Sequence, residues 1–375
     1  MLAQRPGKPA PSLAERGGPL RHRSVAQLVA LSDAALERVD IVEMNIAVAG
    51  EIPGLEKLDY DHYRQIVDGW TEEFRRWLPT VEHAFHERPD HYHNDINFFR
   101  LGMLAQFLDE QVGIAYVEQQ KQAQLEERKA GKPAVVFYTD PGHLLLHGLI
   151  DTKRGTCATM PALHVAIGRR LGWPVGLACV KSHYVCRFDD GQVVYNIEAT
   201  DTGQGGFASG SDADYVRTQK LSRRAVSSGS DLRKLSAREM LGVFVAGRAR
   251  HYADTNRPSL AAQDYALAHA LFPRSRKVYT GLAGTLVETG ERLFAPNEHG
   301  HPASLGAYLA ARYGRPALGR GPILPPTRRR RDGLTELERI NALNRELRSR
   351  LTAPAPPPAP PAPTPIPPHP RRPGR

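Results

Sequence analysis

Between residues 24 and 117 the hydrophobic pattern is helical. SVAQLVALSDAALERV (24–39), LDYDHYRQIVDGWTEEFRRWL (58–78) and DINFFRLGMLAQFLDEQVGIAYV (95–117) repeat apolar residues three and four apart, the spacing that lines one face of a helix. In the third of these, Phe99, Met103, Phe107 and Ile114 face the predicted core, and EIPGLEKLD supplies a loop between the first two. The charged stretch QQKQAQLEERKAGKP (119–133) reads as a helix end or exposed connector. The period then changes. AVVFYT (134–139) is a short strand, and HYVCRF (183–188) and VVYNIEA (193–199) alternate on either side of Asp190-Gly191, a strong hairpin turn. Between them Met160, Leu163, Ile167 and Leu171 return to helical spacing, closed by Gly172 and Pro174, which stop a helix. DTGQGGFASGSDADYVR (201–217) reads as a loop ending in Tyr215, and RRAVSSGSDLRKL (223–235) as a linker.

Two placements carry the candidate chemistry. With Thr156 as N-cap, Cys157 opens the helix of Met160 and Leu163. Unpaired N–H groups and the positive end of the helix dipole favour a thiolate there. If Asp190 and Gly191 form the turn, paired residues have numbers that sum to 381. His183 then lies opposite Glu198 and Val185 opposite Asn196, while Tyr184, Cys186, Phe188, Val193, Tyr195 and Ile197 face the core. A slip of one residue would separate His183 from Glu198, and the hydrophobic pattern opposes that slip. A cysteine, a histidine and an acid able to orient the imidazole are the parts of a nucleophilic triad.

The basic balance changes little once it is located. Five Lys/Arg against one Glu in 1–24, and eleven Arg against four acids in 328–375, more than account for the net charge of +10. The body of the chain is close to neutral, so a specific nucleic-acid surface is not indicated. Three cysteines are too few for a disulfide framework; Cys179 and Cys186 fall in apolar strands and read as buried thiols. A reducing, cytoplasmic setting is expected, with no signal peptide and no membrane span.

Other candidates are weaker. His83, His86, His91 and His93 crowd VEHAFHERPDHYH, but spacing of this kind is more often a solvated helix end, and no metal or other cofactor is expected. Arg154, beside Lys153, would favour a thiolate, or belong to an exposed basic loop. His143 and His147 precede the cysteine and either could donate to an oxyanion or serve as a buried or capping residue. Asn196, on the strand of Glu198, is a further secondary candidate. The Cys157 N–H is the obvious oxyanion donor; spacing does not choose a second from Gln106 and Gln111.

The RGTC before the helix, RRLGWPV after it, KSHYV on the next strand and YNIEAT on the one after resemble the transglutaminase-like superfamily of papain-like cysteine enzymes, in its bacterial form carrying tetratricopeptide repeats. The close likeness covers roughly 140–215. It implies an α+β fold with a nucleophile helix packed on an antiparallel sheet, Cys157 as nucleophile, His183 as base and Glu198 as orienting acid. Two positions depart from the family pattern: Glu198 stands where Asp is usual, and Ala158 where an aromatic residue often follows the cysteine. The organisation expected is a disordered basic N-terminus (1–24), a helical part (25–130), the catalytic core (131–222), a tetratricopeptide-like repeat (236–290), a linker (321–332), an amphipathic helix (333–352) and a Pro-rich disordered tail (353–375). Within the repeat, Ala249, Ala261 and Ala268 alternate with Tyr252 and Tyr265, and RSRKVYTGLAGTLVET (274–289) would cap it. The function implied is attack on an amide or acyl bond of a protein or peptide, with hydrolysis favoured over transamidation because nothing marks an amine-binding site. The alternative is a non-catalytic scaffold that binds protein partners through its repeat.

Overall fold

Helix α3 (Ile41–Gly50) is the element on which the others converge, and the amphipathic pattern does not reveal it. Every residue from Ile41 to Ala49 is buried, Glu43 and Asn45 included. A helix enclosed on all sides has no polar stripe to give it a period. In the computed structural model, residues 23–117, 138–181, 183–200 and 209–289 are described. The basic N-terminal tail, the charged connector, most of AVVFYT, the linker after 320, the amphipathic helix and the Pro-rich tail lie outside them.

The segment 24–39 forms two helices, not the single one expected. α1 (Val25–Ala30) starts at a Ser24 capping box with Gln27, and α2 (Asp33–Leu36) starts at Ser32, whose side chain accepts the Ala35 N–H. Ser32 stops the first helix because its hydroxyl serves the next one as N-cap. α4 (Tyr60–Val81) matches the second predicted helix and is followed by the short α5 (His83–Glu87). The third predicted helix ends early. α6 (Ile96–Glu110) stops before Gly113, which turns the chain at φ +81°, and Ala115–Tyr116 becomes strand β1. β1 runs parallel to β2 (Arg154–Gly155), with Ala115 opposite Arg154 and Tyr116 opposite Gly155. α7 (Leu146–Thr152) enters β2, and its first N–H is capped across the fold by the buried Asn45 amide oxygen at 2.7 Å.

α8 (Met160–Arg170) ends at Gly172 in a Schellman arrangement: Trp173 N–H reaches the Gly168 carbonyl and Gly172 N–H that of Arg169. The chain then enters an antiparallel sheet in the order β3 (Val175–Val180), β4 (His183–Asp189), β5 (Val194–Ile197), β6 (Ser209–Gly210). α8 packs on one face of β3 and β4. This face buries Leu177, Cys179, Tyr184, Cys186 and Ile197 in the main core. The other face buries Ala178, Val180 and Val185 under Tyr215, Leu221 and Leu232. The result is an α+β arrangement of helices around a small sheet.

Two stretches differ from expectation here. The described part of 201–217 is ordered as β6 and α9 (Asp212–Thr218), the latter held by a Ser211/Asp214 capping box; 201–208 lie outside the description. The stretch 223–235 is not a linker. It holds α10 (Arg223–Ser227) and then covers the open edge of β3, where Leu232 and Leu235 donate to the Cys179 and Leu177 carbonyls and Asp231 accepts the Lys181 N–H. An edge strand otherwise presents unpaired backbone groups, and here the chain itself pairs them.

α11 (Ala237–Asp254), α12 (Pro258–Leu271) and α13 (Arg276–Thr289) follow. The small and aromatic positions Ala249, Tyr252, Ala261, Tyr265 and Ala268 are all buried in the same core as α3. A buried arginine locks them to it. Arg248 donates to both oxygens of Asp264, to Glu51 and to the Val48 carbonyl at the end of α3. Removing one partner of such a pair strands the other in low dielectric. Arg248→Ala is therefore expected to lose about 3–5 kcal/mol of unfolding free energy in a denaturant titration. Arg248→Leu combined with Asp264→Leu should lose clearly less than the single change.

Candidate active site

Cys157 lies in the turn that leads into α8, three residues before its first helical position. The helix does not begin at the cysteine because Pro161 has no N–H to offer the Cys157 carbonyl. Met160 N–H donates to the Thr156 carbonyl, Thr156 Oγ1 accepts the Ala158 N–H and donates to the His143 carbonyl, and Thr156 N–H is held by Thr159 Oγ1. Thr156 is wholly buried, so these bonds pin the turn from below. Gly155 completes it. A Cβ there would stand 2.5 Å from Met160 Cγ and 2.6 Å from Leu149 Cδ1, so only glycine lets the turn sit this close to the core.

The hairpin contains a correction. Its register pairs Arg187 with Asn196 and Phe188 with Tyr195, not Val185 with Asn196, and His183 is not directly opposite Glu198. Asp190 accepts the N–H groups of both Gln192 and Val193 at 2.9 Å, which lengthens the turn to residues 190–193. The strands are thereby shifted by two residues. An even shift leaves every side chain on its own face, so His183 and Glu198 still share one. Continued past Ile197, this register sets Glu198 opposite Val185 and diagonal to His183. Diagonal neighbours are ~7–8 Å apart at the backbone, a span that long side chains bridge. The glutamate does so: both carboxylate oxygens lie 2.8 Å from His183 Nε2.

Glu198 is held in turn by Thr200, whose hydroxyl donates at 2.6 Å, and by the Tyr215 hydroxyl from α9. His183 and the Cys157 thiol are within side-chain hydrogen-bonding reach. Because Nε2 is occupied by Glu198, Nδ1 is the ring nitrogen left for the sulfur. Burial alone would raise the thiol's pKa, but the hydrogen bond and charge of His183, with the Lys277 ammonium, outweigh it and hold Cys157 below its ordinary value. Burial likewise opposes the imidazolium, and bonds to Cys157 and Glu198 outweigh it and raise His183. Glu198 is lowered against its own burial by His183 and Thr200. The other cysteines have no such partners, and burial pushes both Cys179 and Cys186 up to about 12.

The secondary candidates sit on three different elements, β5, β2 and α7. Asn196 is buried and committed to Arg187, Asp212 and the Gly210 carbonyl. The Arg154 guanidinium donates to the Gly113 and Lys153 carbonyls and braces the β1–β2 bridge. His147 is buried in α7, its Nδ1 unpartnered, and burial lowers its pKa. Gln106 donates to Glu110. Of the four clustered histidines, His83 bonds the Thr80 carbonyl and His93 stacks on Tyr195. Among the described residues no three His, Cys, Asp or Glu side chains stand together as a ligand set. Sequence reasoning missed Tyr215 as a partner of Glu198, and missed Lys277 altogether. Tyr215 follows Glu198 closely enough in the chain to be suspected. Lys277, on a distant helix, left no local signal.

Residues 131–244 match the model of the transglutaminase-like superfamily. The match includes Cys157, His183 and Glu198 and runs into α11; the chain thus carries a transglutaminase-like domain. No curated protein and no solved structure gives a significant match. Nothing in these comparisons identifies α11–α13 as a tetratricopeptide repeat. Among the described residues no helix is long and apolar enough to cross a membrane.

The raised His183 binds its proton more tightly folded than unfolded, so its contribution is full below the ordinary ~6.5 and fades as pH rises toward the folded value. The lowered Glu198 contributes fully above the ordinary ~4.3 and fades as pH falls toward its folded value. In a Cys157→Ala background, Glu198→Gln should therefore cost most between about pH 4.5 and 6.5, on the order of 1–2 kcal/mol, with the difference shrinking on both sides. Chemical denaturation across pH measures this. Glu198→Asp, one methylene short of the diagonal, should match the Gln variant in the same series; wild-type stability in the Asp protein would refute the reach argument.

Proposed function

We propose that this chain is a transglutaminase-like cysteine enzyme that attacks an amide or related acyl bond of a protein or peptide, with Cys157 as nucleophile, His183 as acid and base, and Glu198 as the orienting acid. One observation carries the reading. Of three cysteines, only the partly exposed one has its thiol drawn down by a histidine, and that histidine is gripped by a carboxylate. Such an arrangement activates a sulfur nucleophile.

The sulfur adds to the acyl carbon as its S–C bond forms. The His183 imidazolium then gives its proton to the departing nitrogen as the C–N bond breaks, leaving a thioester. Water attacks the thioester carbon, His183 takes one water proton, the C–S bond breaks to return the thiolate, and the carboxylic acid leaves and gives its remaining proton to solvent. Glu198 holds the ring in the tautomer that serves both steps. The Cys157 N–H, at the turn into α8, is the proposed oxyanion donor. Hydrolysis is favoured over transfer to an amine, because nothing in the sequence marks an amine-binding site.

The scaffold alternative draws less support. Small and aromatic positions that a repeat would use to shape a groove are buried within this protein, and α11 and α12 are tied to α3 through Arg248.

The first test is the rate at which iodoacetamide alkylates Cys157, followed against pH by peptide mass spectrometry. Wild type should react through a thiolate that forms well below the free-thiol value of ~8.5. His183→Ala should lose the low-pH reactivity and return to an ordinary thiol profile. Superimposable profiles for the two proteins would rule the enzyme reading out.

A further inference from the structure

Beyond residue 244, where the superfamily match ends, α13 sends a cation back to the thiol. The Lys277 ammonium lies 4.4 Å from the centroid of the Tyr184 ring. A cation over the face of an aromatic ring is held by the ring's quadrupole. Tyr184 neighbours His183 on β4 and points to the α8 side of the sheet, into the core that α8 shares. Burial pulls the Lys277 pKa below its ordinary value. The charges of Cys157 and Cys179 oppose that shift while Arg250 adds to it, which places the ammonium and the Cys157 sulfur in one electrostatic neighbourhood. The thiol in turn faces His183, Lys277 and Glu198, and its charge is felt by Tyr138 and Tyr184. Glu198 opposes a thiolate, while Tyr138 and Tyr184 are neutral at physiological pH, since burial raises both hydroxyls beyond their ordinary range. Arg250 is paired with Asp254. His183 and Lys277 are the cations that draw the Cys157 thiol down.

The close packing of α13 explains how so long a side chain keeps its place. Ser275 is buried at the start of the helix, and its Oγ accepts the Val278 N–H. Gly281 lies against the Tyr265 ring so closely that a Cβ would stand 2.4 Å from Cε1. Val278 and Leu282 are buried in the main core. The helix that carries Lys277 is therefore seated on α12.

We propose that Lys277 is a positioning residue of the active site: docked on the Tyr184 ring, its ammonium supplies a second positive charge that keeps the Cys157 sulfur ionised. The inference rests on the reading of Cys157 as the nucleophile. It makes the helices after the matched domain part of the catalytic apparatus and not an appended module.

The test uses the full chain and the alkylation reaction, in which the thiolate attacks the iodoacetamide methylene, an S–C bond forms and iodide leaves. Lys277→Met should shift the midpoint of Cys157 reactivity upward by about 0.5–1 pH unit and slow alkylation at pH 6 by about three- to tenfold. Lys277→Arg should restore most of the wild-type profile, an outcome that a purely structural role would not require. Lys277→Gln, which keeps a polar tip, replaces the Met variant if circular dichroism shows Met to disturb the helix. His183→Ala is run alongside. If it shifts the profile while Lys277→Met and Lys277→Gln overlay wild type, Lys277 has no such role and the nucleophile reading stands. If His183→Ala leaves the profile unchanged, that reading fails first.

Discussion

A helix buried on every side has to be built into its neighbours, and α3 imposes that condition on the whole described fold. It contacts α1, α4, α7, α8 and α11, elements drawn from the N-terminal, central and C-terminal parts of the chain. Its polar groups are matched over long distances. Asn45 caps the start of α7, Glu43 is met by Arg23, and the Val48 carbonyl receives Arg248. A buried polar group without a partner costs about 1–3 kcal/mol or more. Removing any of these elements would therefore expose apolar surface and orphan a hydrogen bond at once. All described residues accordingly fall in one compact unit.

That constraint positions the candidate chemistry. α7 and β2 deliver the turn that carries Cys157, while β1, arriving from α6, braces β2 through the Ala115 and Val117 N–H groups. α8 packs on the Tyr184 face of β3 and β4, while His183, one residue earlier at the start of β4, lies on the opposite face with Glu198. The sheet is covered on both faces, and its open edge at β3 is sealed by the chain after α10. The site therefore rests on a rigid floor, and the groups that tune it come from outside the hairpin: Tyr215 from α9 and Lys277 from α13.

Glu198 spans the diagonal of the hairpin to reach the imidazole. With a four-residue turn the acid falls on the diagonal, where a longer side chain is needed to reach Nε2. The thiol, the imidazole and the carboxylate are mutually dependent, since the pKa of each is moved toward its charged form, against burial, by its neighbour.

By itself, the sequence determined the local elements whose signals are short-range. Alternation over 183–188 and 193–199 marks two strands, and Gly172 with Pro174 marks the end of α8. The order of Cys157, His183 and Glu198 led to the transglutaminase-like domain that the family comparison independently reports over 131–244. Parity alone kept His183 and Glu198 on one face, so a register error of two residues did not separate them. Only the tertiary structure decided the rest. α3 was hidden because a fully buried helix has no amphipathic period, and β1 because two residues paired to a distant partner leave no pattern. The edge covered by 231–235 was hidden because irregular backbone carries no repeat. Lys277 could not be read from the chain because its contact with Tyr184 and its effect on Cys157 are set by how α13 seats on α12, and electrostatic neighbourhood depends on distance in space and not in sequence.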